Sequence, residues 1–519
     1  MKRLDLAELR KIEIIRADEI RIDLPSRPIR YYRHGWQSWS LTAWTGLASL
    51  PIQRPAILHP LQTDLEYVHE KNPNGSWLGA VEFEDGNILL LGALATDAHV
   101  ILVDDQLSGR FESGEEEWLI AFGPENVVFE EYAKQLAIRF GKLEMGGAPR
   151  VWCSWYSLYT AISEPLMHKI IDGLGDLPFD VIQIDDGWQK DIGDWEPNSR
   201  FPSGMNALAE KISYTGRRAG LWLAPLIATR SSRLFRKHSD WFLRDERGRF
   251  VSAGFNWGEQ LYALDTTHPA VTDWLVALMK QARAWGFDYL KLDFLYAGAL
   301  KGKRYADIPR EAAYRRSLRV MRQAMGQDAF FLACGTPILP ALGICDAIRI
   351  GPDVSGDWES YRDANLLYNP TTPGVKNAIR TAVHRLWLNS IIQIDPDVAY
   401  FAARENRLSQ DQKSLLQDLA LICNFRATSD LPLWMTNDER ERLRQFLTAQ
   451  PTILRAARYM YQLDGRSADF APAIPQPPVP QGLAAVWAAL IGWLGSIPLV
   501  LRVLKIIDDW SLKRRQESL

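Results

Sequence analysis

The chain has 519 residues, of which 47% are hydrophobic, and its 60 basic and 63 acidic residues give a formal charge of −3. Such a length favours two to four domains with large cores, and the mixed charge gives no indication of a nucleic-acid partner or an anionic membrane surface. Four cysteines without metal-ligand spacing, no phosphate-binding loop and a charged N-terminus without an apolar leader favour a cytoplasmic protein that needs no metal and no cofactor.

Residues 1–145 predict an antiparallel β-sandwich. Short apolar runs, as at 81–83, 88–91 and 99–103, are broken by Asp-Gly and Asn-Gly steps that are typical of turns. The segment His34-Gly35-Trp36-Gln37-Ser38-Trp39 is rich in tryptophan. Such rings stack on sugars and also fill large cores, so both roles are open for Trp36.

Residues 146–430 predict a (β/α)8 TIM barrel that would carry the catalytic site, so the fold class is α/β. Apolar strands alternate here with amphipathic segments of helical length, such as residues 269–285, which begin with proline and precede a glycine. Eight strands, the number a closed barrel needs, are predicted at 151–155, 181–185, 220–224, 289–293, 330–334, 347–350, 391–395 and 419–423.

Polar residues collect where the predicted strands end, which is the face on which parallel barrels carry their sites. Asp185 and Asp186 follow the second strand beside Trp188. Two neighbouring acids next to a ring suit a pair of sugar hydroxyls, and a helix N-cap followed by a turn is the alternative. Trp222 ends the third strand, where it either walls a pocket or packs between barrel and helices.

Asp293 and Asp353 predict a glycosidase carboxylate pair. In the strand 289–293 alternate residues share a face, so Lys291 lies beside Asp293 and favours its ionised form, which a nucleophile needs. Asp353 comes after a Gly-Pro stop on a loop, where its protonation can differ from that of Asp293. A buried structural ion pair between Lys291 and Asp293 is the alternative.

Arg349 and Cys334 lie near two further strand ends. Arg349, four residues before Asp353, suits substrate binding or orientation of the acid, and an ordinary surface arginine is the alternative. Cys334 is interpreted as a small buried hydrophobic residue without a bond-making role.

The C-terminal part divides into two segments. Residues 431–480 predict a helical extension over 437–457 and a Pro-rich linker, and residues 481–519 form an apolar helical tail that starts with about one membrane span of uncharged residues. A span would leave the basic cluster at Lys513, Arg514 and Arg515 outside the cytoplasm, so we expect an in-plane helix in peripheral contact with the cytoplasmic membrane face. A buried helix or a subunit contact is the alternative, which leaves a homo-oligomer open.

Five motifs together resemble the α-galactosidases of glycoside hydrolase family 36. The likeness covers residues 152–358, with a weaker match at 387–389 and a contribution from the N-terminal segment at 36–39. The motifs are, in chain order, Trp152-Cys153-Ser154-Trp155-Tyr156, Ile184-Asp185-Asp186-Gly187-Trp188, Leu221-Trp222-Leu223-Ala224-Pro225, Lys291-Leu292-Asp293-Phe294 and Arg349-Ile350-Gly351-Pro352-Asp353.

The resemblance implies a retaining α-galactosidase acting on small or oligosaccharide α-galactosides, with Asp293 as nucleophile and Asp353 as acid and base. It further implies a substrate-binding set in which Asp185 and Asp186 bind O4 and O6 of galactose, Lys291 the O3 and O4 side, and Arg349 and Cys334 the region of O2. Trp222 would contact the ring, and Trp155 and Trp36 would complete the set.

Three rival functions stay open at this point: an α-N-acetylgalactosaminidase, an α-galactosyl transglycosylase and a non-catalytic carbohydrate-binding relative. The sequence departs from the family pattern in a short N-terminal sandwich, in the lack of an evident C-terminal β-domain and in the apolar tail.

Overall fold

The computed structural model describes residues 1–6, 10–48, 56–143, 146–359, 371–476 and 481–517. In its N-terminal part, alternating apolar residues form a five-stranded and a six-stranded sheet whose pairings are antiparallel except for β1 with β3. Helix α1 (Glu125–Phe140), which the sequence analysis did not predict, closes this part. The strands are β1 (Lys2–Asp5), β2 (Ile12–Ala17), β3 (Glu19–Asp23), β4 (Arg30–Arg33), β5 (Ala43–Thr45), β6 (Asn74–Ser76), β7 (Leu78–Glu82), β8 (Ile88–Ala93), β9 (Ala98–Val103), β10 (Gln106–Phe111) and β11 (Glu116–Gly123).

An eight-stranded parallel sheet comes next, with its strands in sequence order and the last strand paired with the first, as a (β/α)8 barrel requires. Its strands are β12 (Val151–Cys153), β13 (Val181–Ile184), β16 (Arg218–Leu223), β20 (Phe287–Leu292), β21 (Phe330–Ala333), β22 (Ala347–Arg349), β23 (Gln393–Asp395) and β24 (Ala427–Thr428). Two insertions add β14 (Gln189–Asp191) with β15 (Asp194–Pro197), and β17 (Ile227–Thr229) with β18 (Ser252–Asn256) and β19 (Glu259–Ala263). The helices of this part are α2 (Trp155–Leu158), α3 (Glu164–Leu174), α4 (Gly204–Tyr214), α5 (Arg233–Lys237), α6 (Pro269–Ala284), α7 (Arg310–Met325), α8 (Ile338–Ala341), α9 (Val375–Val383) and α10 (Gln410–Ile422).

The predicted eighth strand at 419–423 is wrong. Its residues lie at the end of α10 and just beyond it, and the strand that closes the sheet order is β24. Ser409 and Gln412 form a capping box that starts the helix, and the buried Leu416, Leu419 and Ala420 recur at helical spacing. A short apolar run cannot be assigned to helix or strand by pattern alone. Here the capping box ten residues upstream identifies the run as part of a helix.

The region after the barrel contains a small sheet that the sequence analysis missed. Helix α11 (Asn437–Thr448) ends well before the predicted 457, since Pro451 lies shortly after it. Three antiparallel strands come next: β25 (Ile453–Ala457), β26 (Met460–Leu463) and β27 (Arg466–Asp469). Asp464 and Gly465 join the last two with positive φ angles of 48° and 81°, the geometry of a tight Asp-Gly hairpin.

The apolar tail forms two helices instead of one. Helix α12 (Leu483–Leu494) and helix α13 (Pro498–Glu517) are separated by a break that precedes Pro498, a residue suited to the first turn. Among the described residues no single helix is long and apolar enough to cross a membrane, whereas α12 and residues 498–507 pass that test as a pair bent by 88°.

Candidate active site

A pocket of about 930 Å³, open to solvent, lies at the carboxyl ends of the barrel strands. Its walls carry the polar residues located just after β13, β20 and β22, together with Trp222 from β16. The pocket is lined by Trp39, Leu58, Leu61, Gln62, Trp155, Asp185, Asp186, Trp222, Phe255, Asn256, Trp257, Lys291, Asp293, Phe294, Pro352, Asp353, Thr371 and Pro373.

Asp293 is fixed by hydrogen bonds to both carboxylate oxygens. Trp222 Nε1 donates to Oδ2 at 3.0 Å, and the backbone N–H of Phe294 donates to Oδ1 at 2.8 Å. Its own N–H donates to the carbonyl of Leu223 on the neighbouring strand at 2.8 Å. The carboxylate is therefore held in one orientation at the edge of the pocket.

Asp353 differs from Asp293 in its environment. Its side chain is 35% exposed and accepts a hydrogen bond from Arg349 Nη1 at 3.2 Å. Although part of its side chain is open to the pocket, enclosure by the surrounding protein raises the pKa of the Asp353 carboxyl above its ordinary value, and the negative charge of Asp293 adds to the rise. Arg349 and Lys291 oppose this rise without outweighing it. A raised pKa favours the protonated form, which can donate a proton.

Arg349 lies behind Asp353, buried at the end of β22 and outside the pocket lining. Its guanidinium contacts Asp395 at 2.9 Å and Asp397 at 2.9 Å, because β22 pairs with β23 so that Arg349 lies opposite Asp395. Tyr156 also donates its hydroxyl to Asp397, and burial raises the pKa of Asp397 to about 7 despite Arg349. Arg349 therefore contacts Asp353 from behind instead of lining the pocket.

Lys291 forms its buried ion pair with Asp185 and not with Asp293, which corrects the alternative drawn from the sequence. Its Nζ lies 2.9 Å from Asp185 Oδ2, which also accepts from Gln183 at 2.5 Å. Burial is the largest single effect on Lys291 and would lower its pKa, but the attraction of Asp185 and of the other acidic groups around it, Asp293 among them, together outweighs burial and places that pKa well above its ordinary value. The pair therefore supplies a fixed cation and a fixed carboxylate to the pocket.

Asp186 is held by Gln189 and Trp257. Gln189 Nε2 donates to Oδ1 at 2.6 Å and Trp257 Nε1 donates to Oδ2 at 2.7 Å. Burial raises the pKa of Asp186 to about 6, although both hydrogen bonds lower it. The charge of Asp186 therefore changes at a pH of about 6, close to neutral.

The structure brings most of the predicted residues to the pocket, with two exceptions besides Arg349. Trp155 and Trp222 line it, whereas Cys334 is a buried thiol outside the lining, and burial raises its pKa well above the ordinary value. Trp36 lies elsewhere: it is 2% exposed, and its Nε1 donates to Glu311 Oε1 on α7 at 2.8 Å. Trp39, three residues later, lines the pocket in its place, packed on Phe294 with ring centroids 5.3 Å apart.

One buried arginine positions the segment that carries Trp39. The guanidinium of Arg385 donates to the carbonyls of Gly35, Gln37, Ser38 and Ser40, at distances between 2.6 and 3.2 Å. It also donates at 3.1 Å to the carbonyl of Ile350, the residue after β22. The N-terminal segment is therefore part of the pocket wall.

Several pocket residues were missed by sequence reasoning. Phe255, Asn256 and Trp257 come from the hairpin of β18 and β19, and Leu58, Leu61 and Gln62 come from the N-terminal part. Trp257 and Gly258 form the tip, and both have positive φ angles, 50° and 74°, as in a two-residue hairpin turn. In the sequence, the glycine at 258 was the turn signal that could have located this hairpin. Within the described ranges, no group of three or more His, Cys, Asp or Glu could hold a metal ion.

Chemically, the pocket places one oriented carboxylate, Asp293, beside a second carboxyl, Asp353, whose protonated form is favoured. A cation, two further carboxylates and several aromatic rings surround them. Two carboxyls in different environments, beside hydrogen-bonding groups and rings, suit the cleavage of a glycosidic bond.

Comparisons with known proteins agree with this chemistry. The melibiase family model matches residues 126–324. The structure of TtGalA, an α-galactosidase from Thermus thermophilus in complex with p-nitrophenyl α-D-galactopyranoside, is 44% identical with a TM-score of 0.85. That match covers 90% of this chain and 95% of the other.

More distant relatives match over shorter stretches or at lower identity. α-Galactosidase 2 of Pediococcus pentosaceus is 30% identical over 154 residues, which is 28% of this chain and spans only 21% of that protein. The family 36 α-galactosidase AgaA of Geobacillus stearothermophilus is 16% identical with a TM-score of 0.55, covers 82% of this chain and 61% of that one, and supports the fold alone. The Thermus relative confirms the resemblance found in the motifs, because its identity is high and the match covers nearly all of both chains. The chain belongs to the melibiase family, the α-galactosidases of glycoside hydrolase family 36.

Proposed function

We propose that this chain is a retaining α-galactosidase that hydrolyses terminal α-D-galactosyl residues by double displacement. The observation that carries the proposal is the pairing of Asp293 and Asp353 in one pocket, in a chain 44% identical to an α-galactosidase whose structure holds p-nitrophenyl α-D-galactopyranoside. No observation favours the N-acetylgalactosaminidase, transglycosylase or non-catalytic alternatives.

In the first step, a carboxylate oxygen of Asp293 attacks the anomeric carbon while protonated Asp353 transfers its proton to the glycosidic oxygen, so that the aglycone leaves as an alcohol. The product is a galactosyl ester of Asp293. In the second step, Asp353, now ionised, removes a proton from water, whose oxygen attacks the anomeric carbon and releases Asp293.

The surroundings of the two carboxyls support these roles. Both oxygens of Asp293 accept hydrogen bonds, which hold the attacking carboxylate in one orientation. The raised pKa of Asp353 favours the protonated form that the first step needs. When Asp293 becomes an ester its negative charge disappears, so one cause of that raised pKa is lost and the pKa of Asp353 falls toward the value suited to releasing and regaining a proton in the second step.

The sugar would be bound by groups that the chain already fixes. Asp185, Asp186 and Lys291 offer charged partners for hydroxyls, while Trp222 supplies an apolar face. We assign Arg349 and Cys334 to the layer behind the sugar, since neither lines the pocket. For substrates we propose α-galactosides including oligosaccharides, as TtGalA has also been solved in complex with stachyose. The four buried free cysteines favour a cytoplasmic location.

The nucleophile is tested by Asp293→Asn, which keeps size and most hydrogen bonding but cannot form the ester. We expect kcat/KM on p-nitrophenyl α-D-galactopyranoside to fall by several orders of magnitude. Asp357→Asn is the matched control, because Asp357 pairs with Arg407 at 2.6 Å and lies outside the pocket lining. More than a few per cent of wild-type turnover in Asp293→Asn, or an equal loss in Asp357→Asn, would reject the assignment.

The stereochemistry is tested by proton NMR of the first-formed sugar. Direct attack by Asp293 requires carboxyl groups about 5 to 5.5 Å apart, without room for a water between them, and predicts release of α-galactose. Initial release of the β-anomer would contradict the role of Asp293 as nucleophile.

A further inference from the structure

A second cleft of about 970 Å³ continues outward from the active-site pocket. The two cavities share Leu58, Trp155, Phe255, Asn256 and Trp257, so they lie directly beside one another. The deep end holds Asp293, Asp185 and Asp186 and accommodates the galactosyl group. In the proposed mechanism the aglycone leaves on the side of the anomeric carbon opposite Asp293, and the neighbouring cleft offers room for it.

The far wall of this outer cleft is formed by the C-terminal helix α13. Leu501, Leu504 and Lys505 line it, and Leu501 and Lys505 are half-buried at the i and i+4 positions that share one helical face. The helix is anchored to the tip of the β18–β19 hairpin, where Arg502 Nε donates to the carbonyl of Gly258 at 3.0 Å. The contact is close: a Cβ on Gly258, whose φ is +74°, would lie 3.2 Å from Lys505 Cδ.

The same hairpin tip thus has two functions. Trp257 reaches inward to donate to Asp186 at 2.7 Å, while Gly258 contacts α13. Lys505 also bears on the pocket electrostatically, because its charge lowers the pKa of Asp186 against the dominant effect of burial. The tail helix is therefore coupled to the sugar site by contact and by charge.

We propose that helix α13 forms the aglycone subsite of this enzyme and selects α-galactosides whose aglycone carries an extended apolar portion. The inference rests on the proposed function and names the substrate class of the same site. Leu501 and Leu504 line the cleft together with Leu58, Trp155 and Phe255, and this mostly apolar lining suits an alkyl or aryl group.

The test compares methyl and octyl α-galactoside in wild type, in a chain ending at Pro480 and in the double variant Leu501→Ser/Leu504→Ser. We expect the octyl-to-methyl ratio of kcat/KM to fall about tenfold in both variants, the lower end of what apolar pocket contacts contribute to discrimination. Val503→Ser is the matched control, since Val503 lies on the same helix, is 48% exposed and does not line the cleft.

The outcomes separate this inference from the proposed function. Wild-type protein inactive on both galactosides would refute the function itself. Normal hydrolysis of the methyl compound with an unchanged ratio in the double variant, or the same loss in Val503→Ser, would overturn the subsite. The double variant keeps the test valid if the truncated chain does not fold.

A separate observation concerns the outer faces of the tail. Helix α12 exposes apolar side chains around most of its surface, including Leu483 at 81%, Trp487 at 60% and Trp493 at 62%, and Ala488 is the one buried residue among those described in it. On α13, Leu499 and Ile506 are 69% and 67% exposed. A patch of this extent marks a contact surface.

We infer that this surface lies in the plane of an anionic lipid bilayer. From residue 482 to residue 519 the sequence carries five basic residues, Arg502, Lys505, Lys513, Arg514 and Arg515, against three acidic ones, Asp508, Asp509 and Glu517. The tail therefore has a net charge of +2 (five minus three). Tryptophans with neighbouring cations on a bent apolar helix pair suit the headgroup region, and the bend of 88° disfavours a straight span. The outer cleft would then open beside the lipid, where apolar aglycones reside.

Flotation with vesicles tests the lipid contact. We expect the full chain to float with vesicles of three parts phosphatidylcholine to one part phosphatidylglycerol, and Trp487→Ser/Trp493→Ser to stay in the soluble fraction. Tyr214→Ser is the control, because Tyr214 is 93% exposed on α4, far along the chain from the tail. A stable oligomer that does not float would assign the patch to contacts between copies and overturn the inference, as would equal flotation of the tail variant.

Discussion

Trp257→Phe should shift the pH dependence of the enzyme, because it removes one hydrogen bond from Asp186. Burial raises the pKa of Asp186 to about 6, and the N–H of Trp257, 2.7 Å from Oδ2, is one of two side-chain donors that hold it down. The ionised carboxylate accepts hydrogen bonds from sugar hydroxyls, so we expect kcat/KM of the wild type to fall as the pH drops through about 6.

The size of the shift is set by the energy of the lost bond. A hydrogen bond to a charged group contributes ~1.5–3 kcal/mol, and about 1.4 kcal/mol corresponds to one pH unit. Phenylalanine keeps a ring but has no N–H, so the ionised form loses that stabilisation while the protonated form loses little. The midpoint of the acidic limb should therefore rise by about one to two pH units.

The assay is kcat/KM on p-nitrophenyl α-D-galactopyranoside across the acidic and neutral range, since this quantity reports the free enzyme. Trp285→Phe serves as control: its ring packs on Trp188 at 5.8 Å and does not contact Asp186. A lower kcat/KM with an unmoved midpoint would refute the reasoning, for it would limit Trp257 to packing. A midpoint that moves in Trp285→Phe as well would do the same.

Three further predictions concern residues around the same pocket. Asp353→Ala should reduce hydrolysis of melibiose by about 10²–10⁴-fold and that of an activated aryl galactoside much less, because only the poor leaving group needs the acid; equal losses would point to another acid. Gly335→Ala should lower kcat about tenfold or more, since the new Cβ at φ +55° would lie 3.0 Å from Trp39 Cη2 and 3.1 Å from the N of Phe294, next to Asp293. An unchanged kcat would contradict this and would mean that the loop adjusts without moving Asp293. Arg385→Met should lower the free energy of unfolding by at least about 3 kcal/mol in urea titration, because its five carbonyl acceptors lose a buried donor, and a change below about 1 kcal/mol would contradict this.

The strand-end residues could be predicted from the sequence for a physical reason. In a parallel barrel every strand ends on the same face, so recognising a strand also places the residues just beyond its end. Asp185, Lys291, Asp293 and Asp353 were located in this way and all line one pocket. The choice of Trp36 over Trp39 had no such basis, since both belong to one loop.

The unpredicted features depend on tertiary contacts. Trp257 reaches the pocket on an inserted antiparallel hairpin whose tilt is set by packing, and Arg349 turned out to lie behind Asp353 because of its pairing with Asp395. The predicted strand at 419–423 shows the limit of local pattern, because an apolar run of that length fits either element. The assignment of particular sugar hydroxyls to the predicted site residues came from the resemblance to family 36. Their placement at the strand ends came from the residue pattern alone.

The five carbonyls that share Arg385 bear on how this enzyme could be divided or recombined. Four of them belong to residues 35–40 and one to the barrel, so a single side chain joins both parts at the active site. A barrel expressed without its N-terminal part would bury a guanidinium with most of its acceptors missing and would lack Trp39. Exchange of N-terminal parts among homologues should therefore succeed only when the loop and the arginine are exchanged together. The segment that has to be kept intact in such a chimera is the interface between the two parts, and not either domain by itself.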